Sequence, residues 1–367
     1  MAVIRETIDW RKFLARPPLP APSPAALDAL RNQSILVTGA GGSIGSALAL
    51  RLAMLGTRAL VLLDASEGSL FELKQALAPA ESDSAPQCIL GSVLDRNLLD
   101  EIFTAHAPSL VFHAAAFKHV PLLEEHPFAA IENNVFGTQA LASAAAVAGA
   151  RIVLLSTDKA VAAASVLGAS KRIAELITLE AGGTALRLGN ILGSSGSVAE
   201  AFAGQISAGG PVTVTDPAAR RYFLTLEEGV DLLLAAGAEP ACPALLAPEL
   251  TAQHFVADLA RFMACELAPG QAIGIEFTSL RSGDKESESF WSSEEKVDRV
   301  VLPGLLSLRS ERISGGELQR GLARLRNALD GRDLPAAVAG LRSLVPEFQP
   351  SAALMALARG QRGRVMQ

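Results

Sequence analysis

Apolar residues in this chain cluster into short runs separated by stretches of helical period. Six runs read as strands: Ser34–Thr38, Ala59–Leu63, Gln87–Leu90, Leu110–His113, Ile152–Ser156 and Thr184–Leu188. Between them lie helical patterns around 43–56, 66–78, 96–106, 126–149 and 166–181. Strands joined in turn by helical crossovers predict an α/β class fold with a doubly wound parallel sheet. After Leu188 the regularity gives way to Gly- and Ser-rich loops at Gly193–Ser197 and Gly209–Gly210, then to short mixed segments and helical patterns near 251–265 and 316–343. Five prolines between Pro17 and Pro24 mark an extended arm rather than a helix. The expected organisation is an arm over 1–30, a sheet domain over 31–190 and a smaller C-terminal α/β part over 191–367 that covers the substrate and returns some segments to the sheet domain.

The composition of the 367 residues narrows the function. Half are hydrophobic, enough for a sizeable core and too many for a disordered chain. A formal charge of -6 disfavours nucleic acid and anionic membrane as partners. Cys88, Cys242 and Cys265 are far apart, with no CxxC pair, so neither a disulfide framework nor a zinc site is indicated. Met1 to Arg16 contain Arg5, Glu6, Asp9, Arg11 and Lys12 and do not resemble a secretion signal. Ala140–Ala150 is too short to span a bilayer. The reading is a cytoplasmic protein without a membrane segment.

The first strand runs directly into a glycine turn and a helix, in ILVTGAGGSIG over Ile35–Gly45. Gly39, Gly42 and Gly45 allow a tight turn and close approach of backbone to a pyrophosphate, while the helix's amino end offers free N–H groups to its charge. The domain over 31–190 is therefore read as a Rossmann-type dinucleotide-binding unit. Asp64 closes the second strand, nineteen residues after Gly45. There a carboxylate can accept bonds from the adenosine ribose hydroxyls, or cap the next helix. With no basic residue in Ala65, Ser66 and Glu67, NAD is favoured over NADP.

Many Rossmann oxidoreductases carry a Tyr-x-x-x-Lys pair in which the lysine lowers the tyrosine pKa. Lys171 is present, but Leu167 occupies the tyrosine position, and the chain's only tyrosine is Tyr222. Proton chemistry must come from elsewhere. Thr157, Asp158 and Lys159 stand together at the end of the fifth strand, where a doubly wound sheet places its ligands. In a dry cleft such a carboxyl and amine are expected to shift toward neutrality, one serving as acid and one as base; the alternative is a solvated ion pair. Only seven of the 32 basic residues are lysines, yet Lys118, Lys159, Lys171 and Lys285 all fall where the cleft should be.

In order along the chain, VTGAGGSIGS, HAAAFKHVPLLEEHP, NNVFGT, STDKAV, GASKRIAE, RLGNILGSSGSV and RRYFLT resemble the nucleotide-sugar 4,6-dehydratases of polysaccharide and glycan biosynthesis, which are extended short-chain dehydrogenase/reductases. The likeness runs from FLARPPLP to LVPEFQPS and points to the soluble catalytic half of the large membrane-bound members. It implies a nucleotide-sugar substrate, UDP-linked and of the N-acetylglucosamine type, and a redox-neutral elimination. In that reaction NAD takes the C4 hydride, C5 loses a proton, water leaves from C6 and the hydride returns to C6. It further implies that Thr157 bonds the sugar O4 region, Asp158 protonates the leaving hydroxyl, Lys159 is the base and Lys171 holds the nicotinamide ribose. Ser43, Ile44, Ser92, Val93, Ala114, Ala115 and Ala116 would complete the cofactor site. On the substrate side, Lys118 and His119 would line the sugar cleft, Asn134 would steady the strand-four region near the cofactor, Asn190, Ser197 and Val198 would contact the nucleotide, and Arg221 and Arg281 would offer forks for the diphosphate. Members generally self-associate, so a homo-oligomer is expected.

Three departures bear on specificity. The family's Asn-Pro after TDKAV is Ala162-Ala163, Ser92 replaces an aspartate near the adenine, and the RPGEKLYEE-like segment reads Arg281-Ser-Gly-Asp-Lys-Glu-Ser-Glu-Ser289. These leave open an epimerase or oxidoreductase acting on a related nucleotide sugar, and a lapsed homologue that only binds the dinucleotide.

Overall fold

The computed structural model describes residues 8–78, 85–239, 243–310 and 313–365. Cys242 and the first seven residues of the arm lie outside them; Cys88 and Cys265 are free thiols. The strands are β1 (Ser34–Thr38), β2 (Ala59–Asp64), β3 (Gln87–Leu90), β4 (Leu110–His113), β5 (Arg151–Thr157), β6 (Thr184–Leu188), β7 (Asn190–Ile191), β8 (Val212–Val214), β9 (Arg220–Arg221), β10 (Phe223–Leu224), β11 (Ala244–Pro248), β12 (His254–Phe255), β13 (Ile275–Phe277), β14 (Lys296–Leu302) and β15 (Leu305–Arg309). Nine of them form one sheet in the order β3-β2-β1-β4-β5-β6-β11-β15-β14. The first seven in that order are parallel, and β15 and β14 close the edge as an antiparallel hairpin. The 3-2-1-4-5-6 core is the Rossmann order, whose direction reverses between β1 and β4. The expected six-strand sheet is thus extended by three strands from the C-terminal part.

Because successive strand residues face opposite sides, β1 feeds two cores. Ile35 and Val37 join Leu48, Leu52, Leu62, Phe112 and Val153 on one face. Leu36 joins Val111, Leu141, Ile173 and, from the C-terminal helices, Leu322 and Leu341 on the other. A third core gathers Phe202, Val212, Phe223, Leu259 and Met263 of the C-terminal part with Trp10, Phe13 and Leu14.

The arm is extended from Arg16 to Ser23 but bounded by short helices, Trp10–Leu14 in the third core and Pro24–Arg31 against Leu226–Ala238. Ser23 caps the second, with proline in its first turn, a position that wastes no hydrogen bond. The segment 126–149 is not one helix: Pro127–Ala130, a π-helical turn Ile131–Phe136 and Gly137–Ala148 follow one another. Likewise the pattern over 316–343 resolves into Gly315–Asp330 and Leu334–Leu344, and that over 251–265 into Val256–Leu267. No helix among the described residues is long and apolar enough to cross a membrane.

Candidate active site

The carboxyl ends of β1, β4 and β5 meet at the point where the strand order reverses. Gly39 leaves β1 with φ 68°, and a Cβ there would lie 2.5 Å from the Ala115 nitrogen. A Cβ on Gly45 would lie 2.0 Å from the Gly39 oxygen. The two glycines thus let the turn fold back on itself and onto the end of β4. Gly42 is the N-cap of the helix Ser43–Leu55, whose first-turn N–H groups at Ser43, Ile44 and Gly45 have no intrahelical acceptors. That cradle fits a diphosphate: backbone donors, the positive end of a helix, and no side chain on the turn but the buried methyl of Ala40.

Asp64 at the end of β2 accepts from the Gly41 N–H at 2.8 Å with one oxygen and from the Ser66 N–H at 2.8 Å with the other. The cap of the next helix is Ser66, not Asp64. The carboxylate therefore ties the glycine turn to β2, and keeps free lone pairs for a hydroxyl donor. Gly41, the middle glycine of the run, escaped the sequence reading although it makes this contact.

Ala114, Ala115 and Ala116 are half-buried at the end of β4, followed by exposed Phe117, Lys118 and His119. Val93 turns its side chain into the core, where a Cβ on Gly137 would meet it at 2.8 Å, so only its backbone can face a ligand. Ser92 accepts from the Leu94 N–H at 3.2 Å within its own turn. Asn134 lies in the π-helical turn Ile131–Phe136. It is 1 % exposed, its oxygen accepts from the Phe117 N–H at 2.8 Å, and its amide donates to the Phe117 oxygen at 3.1 Å and to Ser170 Oγ at 3.2 Å. With both ends of the amide engaged, it clamps the segment after β4. Below it His113 stays neutral, its pKa lowered to about 3 by burial and by Lys171, and its ring bridges Thr38 and Thr138.

Loop 193–197 crosses the glycine turn. The Ser195 N–H donates to Ser43 Oγ at 2.9 Å, and Lys118 Nζ donates to the Ser195 oxygen at 2.6 Å. Gly196 accepts the His119 ring so closely that a Cβ would lie 2.4 Å from Cε1. Ser197 caps the helix Val198–Ser207, and Val198 packs on the third core. Lys118 and His119 therefore meet the loop, Ser197 ends it, and Val198 begins the helix that follows.

At the end of β5 the reactive trio is in contact. Thr157 Oγ1 donates to Asp158 Oδ1 at 3.0 Å, and Lys159 Nζ donates to the same oxygen at 3.0 Å and to Asn190 Oδ1 at 3.0 Å. Asp158 has no solvent exposure and its Oδ2 has no hydrogen-bond partner among the described residues. Such an orphan oxygen costs about 1–3 kcal/mol, which a ligand hydroxyl or a proton would recover. The expected drift of the lysine toward neutrality is corrected. Burial pushes Lys159 down, but Asp158 and Glu288, 4.0 Å away, outweigh it and raise its pKa. The sequence reading missed Glu288, which arrives from the segment that departs from the family pattern.

Lys171, on the helix Val166–Glu180, is 5 % exposed and has no hydrogen bond or ion pair among the described residues. Burial lowers its pKa to about 8, with Glu175 pulling the other way. Leu167, one turn before it, is 4 % exposed and packs in the core, so no tyrosine hydroxyl stands at that position. Arg221 is buried and donates to the main-chain oxygens of Arg220, Lys285 and Glu286 at 2.7–3.0 Å, so most of its fork holds the chain rather than facing a diphosphate. Arg281 is exposed and gives only its Nε to Asp284, at 2.9 Å.

A dinucleotide-type Rossmann sheet with a Thr-Asp-Lys cluster around the buried Asp158 defines the class. Residues 35–309 match the family model described as polysaccharide biosynthesis protein. The chain belongs to that family. It is similar to the probable polysaccharide biosynthesis protein EpsC of Bacillus subtilis, 35% identical over 79% of this chain and 50% of that protein. Thus it spans about half the length of that curated relative. A UDP-glucose 4-epimerase of Rickettsia rickettsii is 32% identical over 72% of this chain and 79% of its own. Among solved structures, the dTDP-glucose 4,6-dehydratase DesIV from Streptomyces venezuelae, with NAD and TYD bound, superposes with a TM-score of 0.60 at 22% identity, covering 70% of this chain and 87% of that one, and shows the shared fold.

Proposed function

We propose that this protein is a nucleotide-sugar 4,6-dehydratase that holds NAD through each cycle, acting on a UDP-N-acetylhexosamine in polysaccharide or glycan biosynthesis. The observation that carries the reading is the Thr157–Asp158–Lys159 cluster at the end of β5, combined with an apolar Leu167 where a dehydrogenase would need its tyrosine. Gly39, Gly42 and Gly45, with the N–H groups of Ser43 and Ile44, would hold the diphosphate of the cofactor, Asp64 its adenosine ribose and Lys171 its nicotinamide ribose. Held by these residues, the dinucleotide would supply hydride chemistry, a hydride taken from the sugar and given back to it.

The residues of the chain supply the proton steps. In the free site Lys159 is an ammonium donating to Asp158. Transfer of one proton along that 3.0 Å bond breaks N–H and forms O–H, which converts an ion pair into a neutral amine and a neutral acid. As the C4 hydride departs, the O4 proton would pass by way of Thr157 to solvent. The amine would then take the C5 proton while Asp158 gives its own to the departing C6 hydroxyl. When the hydride returns to C6, Lys159 would give its proton back to C5 and the pair would regain one proton from solvent, restoring ammonium and carboxylate. Thr157 orients the carboxyl and stays in reach of O4. Lys118 and His119, under loop 193–197, would flank the sugar, while Arg281 offers its free guanidinium nitrogens to the nucleotide diphosphate.

An epimerase is the second reading, favoured by the Rickettsia relative and by Ala162-Ala163 in place of the family's Asn-Pro. Incubation with a panel of nucleotide sugars, followed by mass spectrometry and NMR, tests both. Loss of water with a methyl group at C6 is expected; an intact C6 hydroxymethyl group with inverted C4 would establish the epimerase instead.

A further inference from the structure

Glu288 stands apart from the expected site residues, yet it is the second carboxylate of the reactive cluster. It is 4 % exposed, and its two oxygens face two ammonium groups: Lys159 Nζ at 4.0 Å from Oε1 and Lys285 Nζ at 2.6 Å from Oε2. Lys285 is in turn anchored by donation to the Val161 oxygen at 2.9 Å, on the loop that leaves the Thr-Asp-Lys turn. Although close to Lys285, Oε2 makes no hydrogen bond of acceptable geometry among the described residues. The main chain at Glu288 is held by Gln253 Nε2, 2.6 Å from its oxygen, and the preceding carbonyls of Lys285 and Glu286 by Arg221. A buried carboxylate is thus built rigidly into a site whose charged groups are Asp158, Lys159, Lys285 and Arg221.

We propose that Glu288 is a positioning residue of the active site, which holds Lys159 as a charged ammonium turned toward Asp158 and so sets when that amine becomes available as a base. The assignment rests on the reading of Lys159 as the base, but its physical content does not. An anion beside an ammonium favours the charged form, and its removal releases the proton at lower pH. Burial and the neighbouring Asp158 also raise the pKa of Glu288 itself, while Lys159 and Lys285 oppose this. Lys159 and Glu288 therefore do not titrate independently of one another.

The test is competitive labelling of the full chain with acetic anhydride across pH, with the Lys159 and Lys171 peptides quantified by mass spectrometry. In Glu288→Gln the midpoint of Lys159 should fall by about 1 pH unit while that of Lys171 holds. Glu288→Asp keeps the charge at a greater distance and should fall between the two. If the chain also turns over a nucleotide sugar, the acid limb of its pH profile should move down with the Lys159 midpoint. An unmoved Lys159 midpoint in whichever variant folds overturns the proposal. Because labelling needs no substrate, failure of the dehydratase reading leaves this result standing, and the two can fail separately.

Discussion

Arg187, with no solvent exposure, donates to both oxygens of Glu175, at 2.9 and 2.8 Å. The same guanidinium reaches both oxygens of Glu295, at 2.6 and 2.9 Å, and the oxygen of Phe290 at 2.8 Å. Glu175 also accepts from Ser156, the residue before Thr157. One buried cation therefore joins β6, the helix of Lys171, the base of the reactive turn and the segment leading into β14.

Removing that cation should be severe. Arg187→Met takes the bidentate cation from two buried carboxylates and leaves Arg172 as the ion-pair partner of both, a loss toward the low end of about 3–5 kcal/mol, to be read as a lowered midpoint in urea unfolding. Glu175→Gln should cost less and reduce turnover too, since Ser156 loses its charged acceptor.

The same network sets acid stability. Despite the opposing effect of burial, Arg187 and Arg172 hold the Glu175 pKa at about 2, below the ordinary 4.5. A carboxylate depressed on folding stabilises fully above its unfolded pKa and loses that stabilisation as pH falls through the folded one. The contribution is about 3 kcal/mol at neutral pH and should vanish between pH 4.5 and 2. Thermal unfolding followed from pH 6 downward should show the loss in the native chain and a much shallower one in Glu175→Gln.

Lys171 works against the fold. Its pKa of about 8 means that at neutral pH an ammonium is held in a dry place with no partner among the described residues. Unfolding restores the ordinary lysine, so between pH 8 and 10.5 the folded state holds fewer protons than the unfolded one and stability should rise with pH. Lys171→Met should raise the melting temperature of the ligand-free chain, by about 1–3 kcal/mol in stability terms, and abolish dinucleotide retention. A variant that is no more stable and still retains dinucleotide would count against both claims.

Ala162 carries a left-handed backbone, φ 41°, beside the reactive turn. An alanine there costs about 1–2 kcal/mol, which asparagine, tolerant of that region, largely avoids. Ala162→Asn should stabilise by about 1 kcal/mol in the same unfolding assay. If the loop borders the sugar, its kcat/KM should change as well.

Asp64→Asn keeps an acceptor for the Gly41 N–H but removes the charge. Binding of NAD, measured by calorimetry, should weaken about tenfold or more, the worth of one hydrogen bond to a charged group. Asp64→Ala should lose more, because Gly41 and Ser66 then have no acceptor.

Much of this was legible in the sequence because it is local. The strand ILVT, the glycine turn and the helix after it announce themselves within eleven residues, and β1 to β6 fall where apolar runs predict them. The extension β11-β15-β14 did not, since KVDRVVL mixes charge and apolar residues on an exposed edge and finds its partner only in the folded hairpin. The helical period over 126–149 hid a π-helical turn, whose reason is tertiary: it delivers Asn134 to the backbone of Phe117. The trio Thr157–Asp158–Lys159 was visible as residues, but the upward shift of the lysine was not, because it takes Asp158 together with Glu288, which reaches it from a distant loop, to outweigh burial. Arg221 read as a phosphate fork, yet its nitrogens are largely taken by carbonyls that no pattern of residue types reveals.

Residues 193–197 are pinned across the glycine turn at both ends of Ser195, by Ser43 on one side and Lys118 on the other. A molecule lodged on the turn would lie beneath a strap whose two fastenings must part before it can leave. Slow exit is a handicap for an enzyme that trades its cofactor at every turnover. For one that lends a hydride and takes it back, residence time costs nothing and guards the reduced form from escape.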